Sequence, residues 1–331
     1  LSSTPKGSSD DAETAFTRYI LNKRMADYYM SRRKPESEWK SIADLDPQIR
    51  EIEYRYAIAD YDTAATILIA ISAQHLYYWG YMVFVIEWLL RIREHISDGD
   101  MKIKVTSQLG IGYWKLVNYE MSFKYSKMAL EMAQAQGNND IQAALVGNLA
   151  YFYYIIGQIE TAIEYVRQGI DLSQETQNKA TEAIQWGNLG AMYYSLGEVE
   201  TALTYYQQGL TLSQEMGDKL NQSRQFVNLG EAMTILNRPN EAIPYLKESI
   251  QLAQEISAIT LLQNNLMFLG RAYWLFGDLP NALDSIHQIL ALDYYNPERE
   301  HYITVLYGCL KWCMGHAHDS IEIFQKAIQI T

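Results

Sequence analysis

The sequence predicts an all-α solenoid of stacked helical hairpins, and three observations carry that prediction. Residues 187–214 read GNLGAMYYSLGEVETALTYYQQGLTLSQ, and the stretch forty residues earlier is identical to it at 15 of 28 positions. A small residue recurs with the same period at Gly110, Ala150, Gly190, Gly230 and Gly270, and again after 38 residues at Gly308; a fixed period of this length marks a repeat array. Within one unit Trp186, Leu189, Gly190, Tyr193 and Leu196 are spaced by threes and fours, the spacing of one helical stripe. Gly197 can close that helix in a left-handed conformation, and a second amphipathic run follows over 199–216.

Taken in order, residues 1–11 (LSSTPKGSSDD) are small, polar and rich in breakers, and read as a disordered linker cut from something upstream. Residues 12–98 read as degenerate helical hairpins. The first helix spans 12–33, with Phe16, Tyr19, Ile20, Met25, Tyr28 and Tyr29 as its apolar set, and Lys34-Pro35 stops it. After a link holding Trp39, Asp46-Pro47 supplies a capping aspartate and a first-turn proline for a helix to about Ala59. Ala59 to Ala64 repeats the spacing of Gly157 to Ala162, so a second hairpin helix should run to about 72. A shorter and a longer helix fill 73–97, and Ser97-Asp98-Gly99-Asp100 turns into the array proper.

The array occupies 99–331 in about six repeats: 99–137, 138–177, 178–217 and 218–257, then 258–295 and 296–331 with more substitutions. Ala202 and Gly190 are small so that paired helices can approach. Asn237-Arg238-Pro239 replaces the usual Leu-Gly turn and Pro244 follows inside the next helix, which predicts local irregularity over 237–245. Asn296-Pro297 reads as cap and first residue of a helix. Ile321, Ile323, Phe324, Ile328 and Ile330 leave an apolar end face for further chain or a partner.

A net charge of −12, from 27 basic and 39 acidic residues, disfavours nucleic acid and anionic membranes, and no basic run offsets it. The most apolar stretch, Leu76 to Ile92, is interrupted by Glu87 and Arg91 and reads as part of a buried helix pair, not as a membrane span. Two cysteines, Cys309 and Cys313, give no disulfide framework, which points to a reducing cytoplasm.

Trp186, Leu189, Gly190, Tyr193, Leu196-Gly197, Ala202, Tyr206 and Gly209 together resemble the tetratricopeptide repeat, in a variant with a forty-residue period. The resemblance implies a right-handed superhelix whose first helices line a concave groove that binds a protein or peptide. Counted from the repeat glycine, the positions three and two before it, one after, and four and five after should face that groove. They include Gln108 and Trp114; Gly147, Asn148, Tyr151 and Tyr154; Gly187, Asn188 and Tyr194; Val227, Asn228 and Glu231; Arg271 and Trp274; and Cys309, Trp312 and Cys313. Asn148, Asn188 and Asn228 share one register, where an amide can both donate to and accept from a peptide backbone, or else bond the neighbouring repeat. The aromatic set suits apolar anchors, and Arg224 with Arg271 suits a carboxylate, with Glu231 as an internal alternative.

Ala26-Asp27-Tyr28-Tyr29, Arg33-Lys34-Pro35-Glu36 with Trp39, Asp44-Leu45 with Pro47-Gln48, and Asp60-Tyr61-Asp62 resemble the region that joins nucleotidase and repeats in bacterial STAND NTPases, signal-transduction ATPases with numerous domains. That resemblance implies a ligand-sensing region, with an upstream NTPase domain of the same chain as a partner. No G-x-x-x-x-G-K-[ST] occurs, so no nucleotide or other cofactor is expected here. Cys309, Cys313, His316 and His318 have the ligand types for zinc, but the histidines fall in a turn after Gly315, and the thiols read as packing groups with no metal. With no catalytic constellation, the chain reads as a binding module and not an enzyme. A constitutive scaffold is the alternative to a sensor.

Overall fold

A computed structural model describes residues 9–39, 41–77, 79–292 and 297–330, which form sixteen α-helices. The chain divides into two compact units, residues 1–149 and 150–331.

The first unit contains α1 (Ser9–Ser31), α2 (Asp46–Ala57), α3 (Tyr61–Ile71), α4 (Met82–Arg93), α5 (Gly99–Lys115), α6 (Tyr119–Gln136) and α7 (Asn139–Ile155) as far as Leu149. Helix α1 begins inside the stretch read as linker, and residues 1–8 of that stretch lie outside the described residues. Asp46 is the first residue of α2 and does not cap it. Its N-cap position is Leu45, which makes no side-chain cap, and Ser41 and Asp44 form a reciprocal capping box one turn earlier, on a short 3-10 turn (Ile42–Leu45) that leads into α2.

The motif string before α2 holds the N-terminal helices together. Glu51 is fully buried on α2 and receives Arg33 at 2.7 Å and Arg55 at 3.3 Å, while Arg55 also reaches Asp60 at 3.1 Å. Lys34 bonds Asp44 at 2.6 Å, Glu36 bonds His75 at 3.0 Å, and the Trp39 ring meets His75 edge-on at 4.9 Å. Leu76 to Ile92 is not one helix. Helix α3 runs on into a π-helical turn (Ser72–Leu76), Gly80 takes φ +85°, and α4 follows. Leu76, Val85, Leu89 and Ile92 are buried in one core with Leu45, Ile52, Leu68 and Leu109. Among the described residues no helix is long and apolar enough to cross a membrane.

The second unit takes the end of α7, then α8 (Ile159–Glu175), α9 (Lys179–Ser195), α10 (Val199–Glu215), α11 (Lys219–Ile235), α12 (Pro239–Glu255), α13 (Ile259–Phe276), α14 (Leu279–Leu290), α15 (Pro297–Cys313) and α16 (Ala317–Ile330). Helices of 12 to 18 residues alternate with short connections through this unit. The left-handed turn residue recurs every twenty positions, at Val117, Gly137, Gly157, Gln177, Gly197, Gly217, Asn237, Ser257 and Gly277, and Ala59 takes the same conformation earlier.

Asn237 corrects the expected irregularity. Its φ is +57°, its N–H bonds the Thr234 carbonyl at 3.1 Å and that of Arg238 bonds Met233 at 2.9 Å, the pattern Gly197 and Glu198 make with Tyr194 and Tyr193. Asparagine tolerates the left-handed region, so the turn keeps its form without glycine. Helix α12 then runs unbroken through Pro244, which forgoes a single backbone bond, the one its position would donate to residue 240. Pro297 is the first residue of α15, whereas the expected cap Asn296 lies outside the described residues. Of the predicted end face, Ile321 is exposed and Phe324 half-buried; the side chains of Ile328 and Ile330 lie outside the described residues.

Gly190 is where α9 meets α10: a Cβ there would stand 2.5 Å from the Tyr206 ring. Gly230 stands in the same relation to Leu246, and Gly308 to Phe324. In the second repeat Ala150 occupies the glycine position and the smaller Val166 stands sixteen residues on, both in one buried cluster. The pair conserves volume, not residue identity.

Candidate functional site

In the first unit, Gln108 and Trp114 lie on α5 and are partly buried. The Trp114 ring packs on Tyr119 at 4.9 Å, and the Gln108 carbonyl accepts from Tyr77 Oη at 3.2 Å. Asn148 on α7 is exposed and makes no side-chain hydrogen bond with a described residue.

In the second unit the first helix of each repeat presents its register positions in a graded way. Tyr151 is 51% exposed and stands 6.1 Å from Tyr154. Tyr154 and Ser195 share a hydrogen bond of 2.7 Å; since the Ser195 proton goes to the Ala191 carbonyl at 3.0 Å, Tyr154 is the donor. Asn188 is half-buried and donates only within its own helix, to Gln185 Oε1 at 3.3 Å. Asn228, also half-buried, makes no side-chain hydrogen bond with a described residue. The asparagines at 188 and 228 therefore do not bridge to a neighbouring repeat through their side chains.

Tyr194 donates to Glu231 Oε1 at 3.2 Å, tying α9 to α11. Burial, then the Glu231 carboxylate, pushes the Tyr194 hydroxyl well above the usual phenol range, with Arg271 acting in the opposite sense. Tyr206 is raised in the same direction, first by burial and then by Glu231. The two arginines do not share a carboxylate clamp with Glu231: Arg224 donates to Asn221 within its own helix at 3.3 Å, and Arg271 forms no ion pair with a described residue.

One group of positions expected in the groove is packing instead. Gly147, Gly187 and Val227, three before the repeat's small residue, are buried. At Gly187 an added Cβ would fall 2.4 Å from Gln225 Nε2, so the glycine makes room for an amide of the next repeat. Gln185, Gln225 and Asn265, five residues before each repeat glycine, are all buried. Gln225 donates to the Ala183 carbonyl at 3.4 Å, and Asn265 donates to Ser223 Oγ at 3.0 Å and the Ser249 carbonyl at 3.1 Å. Their forty-residue spacing was visible in the sequence, but only burial distinguishes a structural amide from a surface one.

Trp274 and Trp312, four residues after Gly270 and Gly308, line a pocket of about 400 Å³ with Cys309, Cys313 and Phe324. Both thiols are free, and burial together with the adjacent Cys313 raises the Cys309 thiol above its ordinary range, which keeps it protonated at neutral pH. Among the described residues no three His, Cys, Asp or Glu side chains gather as a metal site.

Two family profiles described as tetratricopeptide repeat match residues 143–176 and 181–255, and one described as anaphase-promoting complex subunit 5 matches 270–331. No curated protein matches the chain. Among solved structures, a STAND protein with a tetratricopeptide repeat sensor from Pyrococcus horikoshii is similar, with TM-score 0.59 and 13% identity over 94% of this chain and 52% of that one. The chain thus spans about half the length of that protein. Aspartyl phosphate phosphatase F from Bacillus subtilis gives TM-score 0.61 and 16% identity, over 86% of this chain and 74% of that one. A Rap protein complexed with competence and sporulation factor gives 0.55 and 12%, over 96% and 97%. At these identities the likeness is one of fold.

Proposed function

Since the chain is a tetratricopeptide repeat protein, we propose that it is a protein- or peptide-binding module, and that it serves in the cytoplasm as the ligand-sensing region of a STAND-type NTPase whose nucleotidase lies elsewhere in the parent protein. The observation that carries the binding reading is the state of the asparagine register. Asn188 and Asn228 are partly accessible on successive first helices and Asn148 is exposed, while Gln185, Gln225 and Asn265 are buried in the interior. The array has structural amides of its own, which leaves the accessible ones available to a peptide backbone. Tyr151, Tyr154, Tyr194, Trp274 and Trp312 would supply apolar contact, as Gln108 and Trp114 would in the first unit, and Arg224, Glu231 and Arg271 would select for charge. The chain binds and does not catalyse.

Supporting the sensor role are the N-terminal motif string and the likeness in fold to a STAND sensor. The rival, a constitutive scaffold, differs in having nothing to switch. An in-frame P-loop nucleotidase encoded with this chain is the expected finding for a sensor; a parent protein without one leaves the scaffold. For the binding surface, linear peptides selected on the chain from a random dodecapeptide display library should bind about fivefold more weakly for each of Asn148→Ala, Asn188→Ala and Asn228→Ala that loses a bond of about 1 kcal/mol. Helicity should stay unchanged. Unfolding of the triple variant at ambient temperature would assign the asparagines to structure instead.

A further inference from the structure

The geometry points to the pocket between Trp274 and Trp312 as an anchor site for a bulky apolar side chain that stands next to an acidic residue in a bound peptide segment, an inference that rests on the peptide-binding reading above. Two equivalent gaps earlier in the second unit are bridged by the array itself, while at the next one Thr234 bonds only the Gly230 carbonyl of its own helix. The residue four after the repeat's small residue reaches the next first helix through Tyr154 to Ser195 at 2.7 Å and through Tyr194 to Glu231 at 3.2 Å. Between the fifth and sixth repeats the corresponding residues are Trp274, Cys309 and Cys313. An indole and two thiols form no such bond, and a space of about 400 Å³ remains. Its walls are two indoles, the Phe324 ring and two thiols, of which Cys309 is held neutral. Such a lining offers nothing to a charged or strongly polar group, whereas a flat aromatic or large aliphatic side chain could rest against the rings on one side while the other stays open to solvent.

The charge beside the pocket defines the neighbour of that anchor. Arg271 precedes Trp274 by three residues on α13, so the two share a helical face. It forms no ion pair with a described residue, although acidic residues outnumber basic ones in the second unit. A partly buried guanidinium that lies near the Tyr194–Glu231 pair but forms no ion pair of its own with a described residue is complementary to a carboxylate supplied by a ligand. The occupant is thus a segment with an aromatic or large aliphatic residue flanked by Asp or Glu.

The test uses the full chain, the Cys313→Phe variant, which places a ring in the pocket mouth at an exposed position, and the Asn188→Ala/Asn228→Ala variant. Each is checked for unchanged helicity and used to select from the same random dodecapeptide library. On the unmodified chain the expected consensus pairs an aromatic or large aliphatic residue with an adjacent acid. A synthetic consensus peptide should bind Cys313→Phe at least tenfold more weakly, replacing its anchor by Ala should cost as much, and Arg271→Ala should abolish its preference for the acid. Peptides that depend on Asn188 and Asn228 but bind Cys313→Phe equally well would overturn the anchor site and leave the peptide-binding reading intact. Failure to enrich any sequence on the unmodified chain would overturn both.

Discussion

At Gly190 a single hydrogen in place of a methyl sets the distance between two helices. Because the added Cβ would stand 2.5 Å from the Tyr206 ring, Gly190→Ala should cost about 1–3 kcal/mol through overpacking. Ala150 and Val166 show the compensated form of the same contact. The double variant Gly190→Ala/Tyr206→Val should therefore recover part of that loss in urea unfolding, and a double variant less stable than the sum of the two single changes would refute the volume argument. These packing residues were legible in the sequence because a glycine that recurs at fixed spacing inside helices marks a close approach of neighbouring backbones. Tyr194 was legible as a surface aromatic, but not its bond to Glu231, since a partner 37 residues away depends on how adjacent repeats are phased.

Among elements, the join between α1 and α2 is held by charge. Glu51 is fully buried and takes both Arg33 and Arg55. Glu51→Gln removes the negative member and leaves two guanidinium groups facing a neutral amide, at a cost of about 3–5 kcal/mol. The loss should appear as early hydrogen exchange in α1 and α2, with the amides of α9 to α12 protected as before; uniform loss of protection in both regions would contradict a local clamp. The residues that resemble a STAND junction are thus largely occupied in structural bonds, and their presence reports how this region folds more directly than what it senses. The capping box at Ser41 and Asp44 escaped prediction because Asp46-Pro47 offers the stronger local signal. Local propensity identified the right element and its start at Asp46, and missed the short turn that precedes it.

For the molecule as a whole, buried phenols give an alkaline limit to stability. Tyr77 in the first unit is raised above 10.0 by burial, and Tyr194 and Tyr206 in the second by burial and then by Glu231. A phenol whose folded-state value is raised keeps its proton after the unfolded chain has lost it. Its contribution is fully present below about pH 10 and is lost as pH rises from there through the raised value. The melting temperature should therefore hold steady up to about pH 9.5 and then fall, and Tyr77→Phe with Tyr206→Phe should flatten the fall; an unchanged slope in that double variant would place its origin elsewhere. How much of the fold could be read in advance follows from chemistry at the turns. Gly137, Gly157, Gly197, Gly217 and Gly277 announce themselves, whereas Val117, Gln177 and Ser257 take the same left-handed backbone against their own preference, because the helices on either side dictate it. Of the pocket beside Trp274, the sequence showed Trp274, Cys309, Trp312 and Cys313 as groove positions, but not the space between them, since an empty volume has no residue of its own.

The twenty-residue interval between left-handed turns means that turns within a repeat and turns between repeats are built alike. The helices on either side of those turns are not equivalent. Gly190 and Gly230 bring α9 against α10 and α11 against α12, so the array keeps its close contacts only if it lengthens or shortens by whole pairs of that kind. The binding surface follows the same count: adding a single helix would exchange the roles of first and second helices, and every asparagine of the register would change sides.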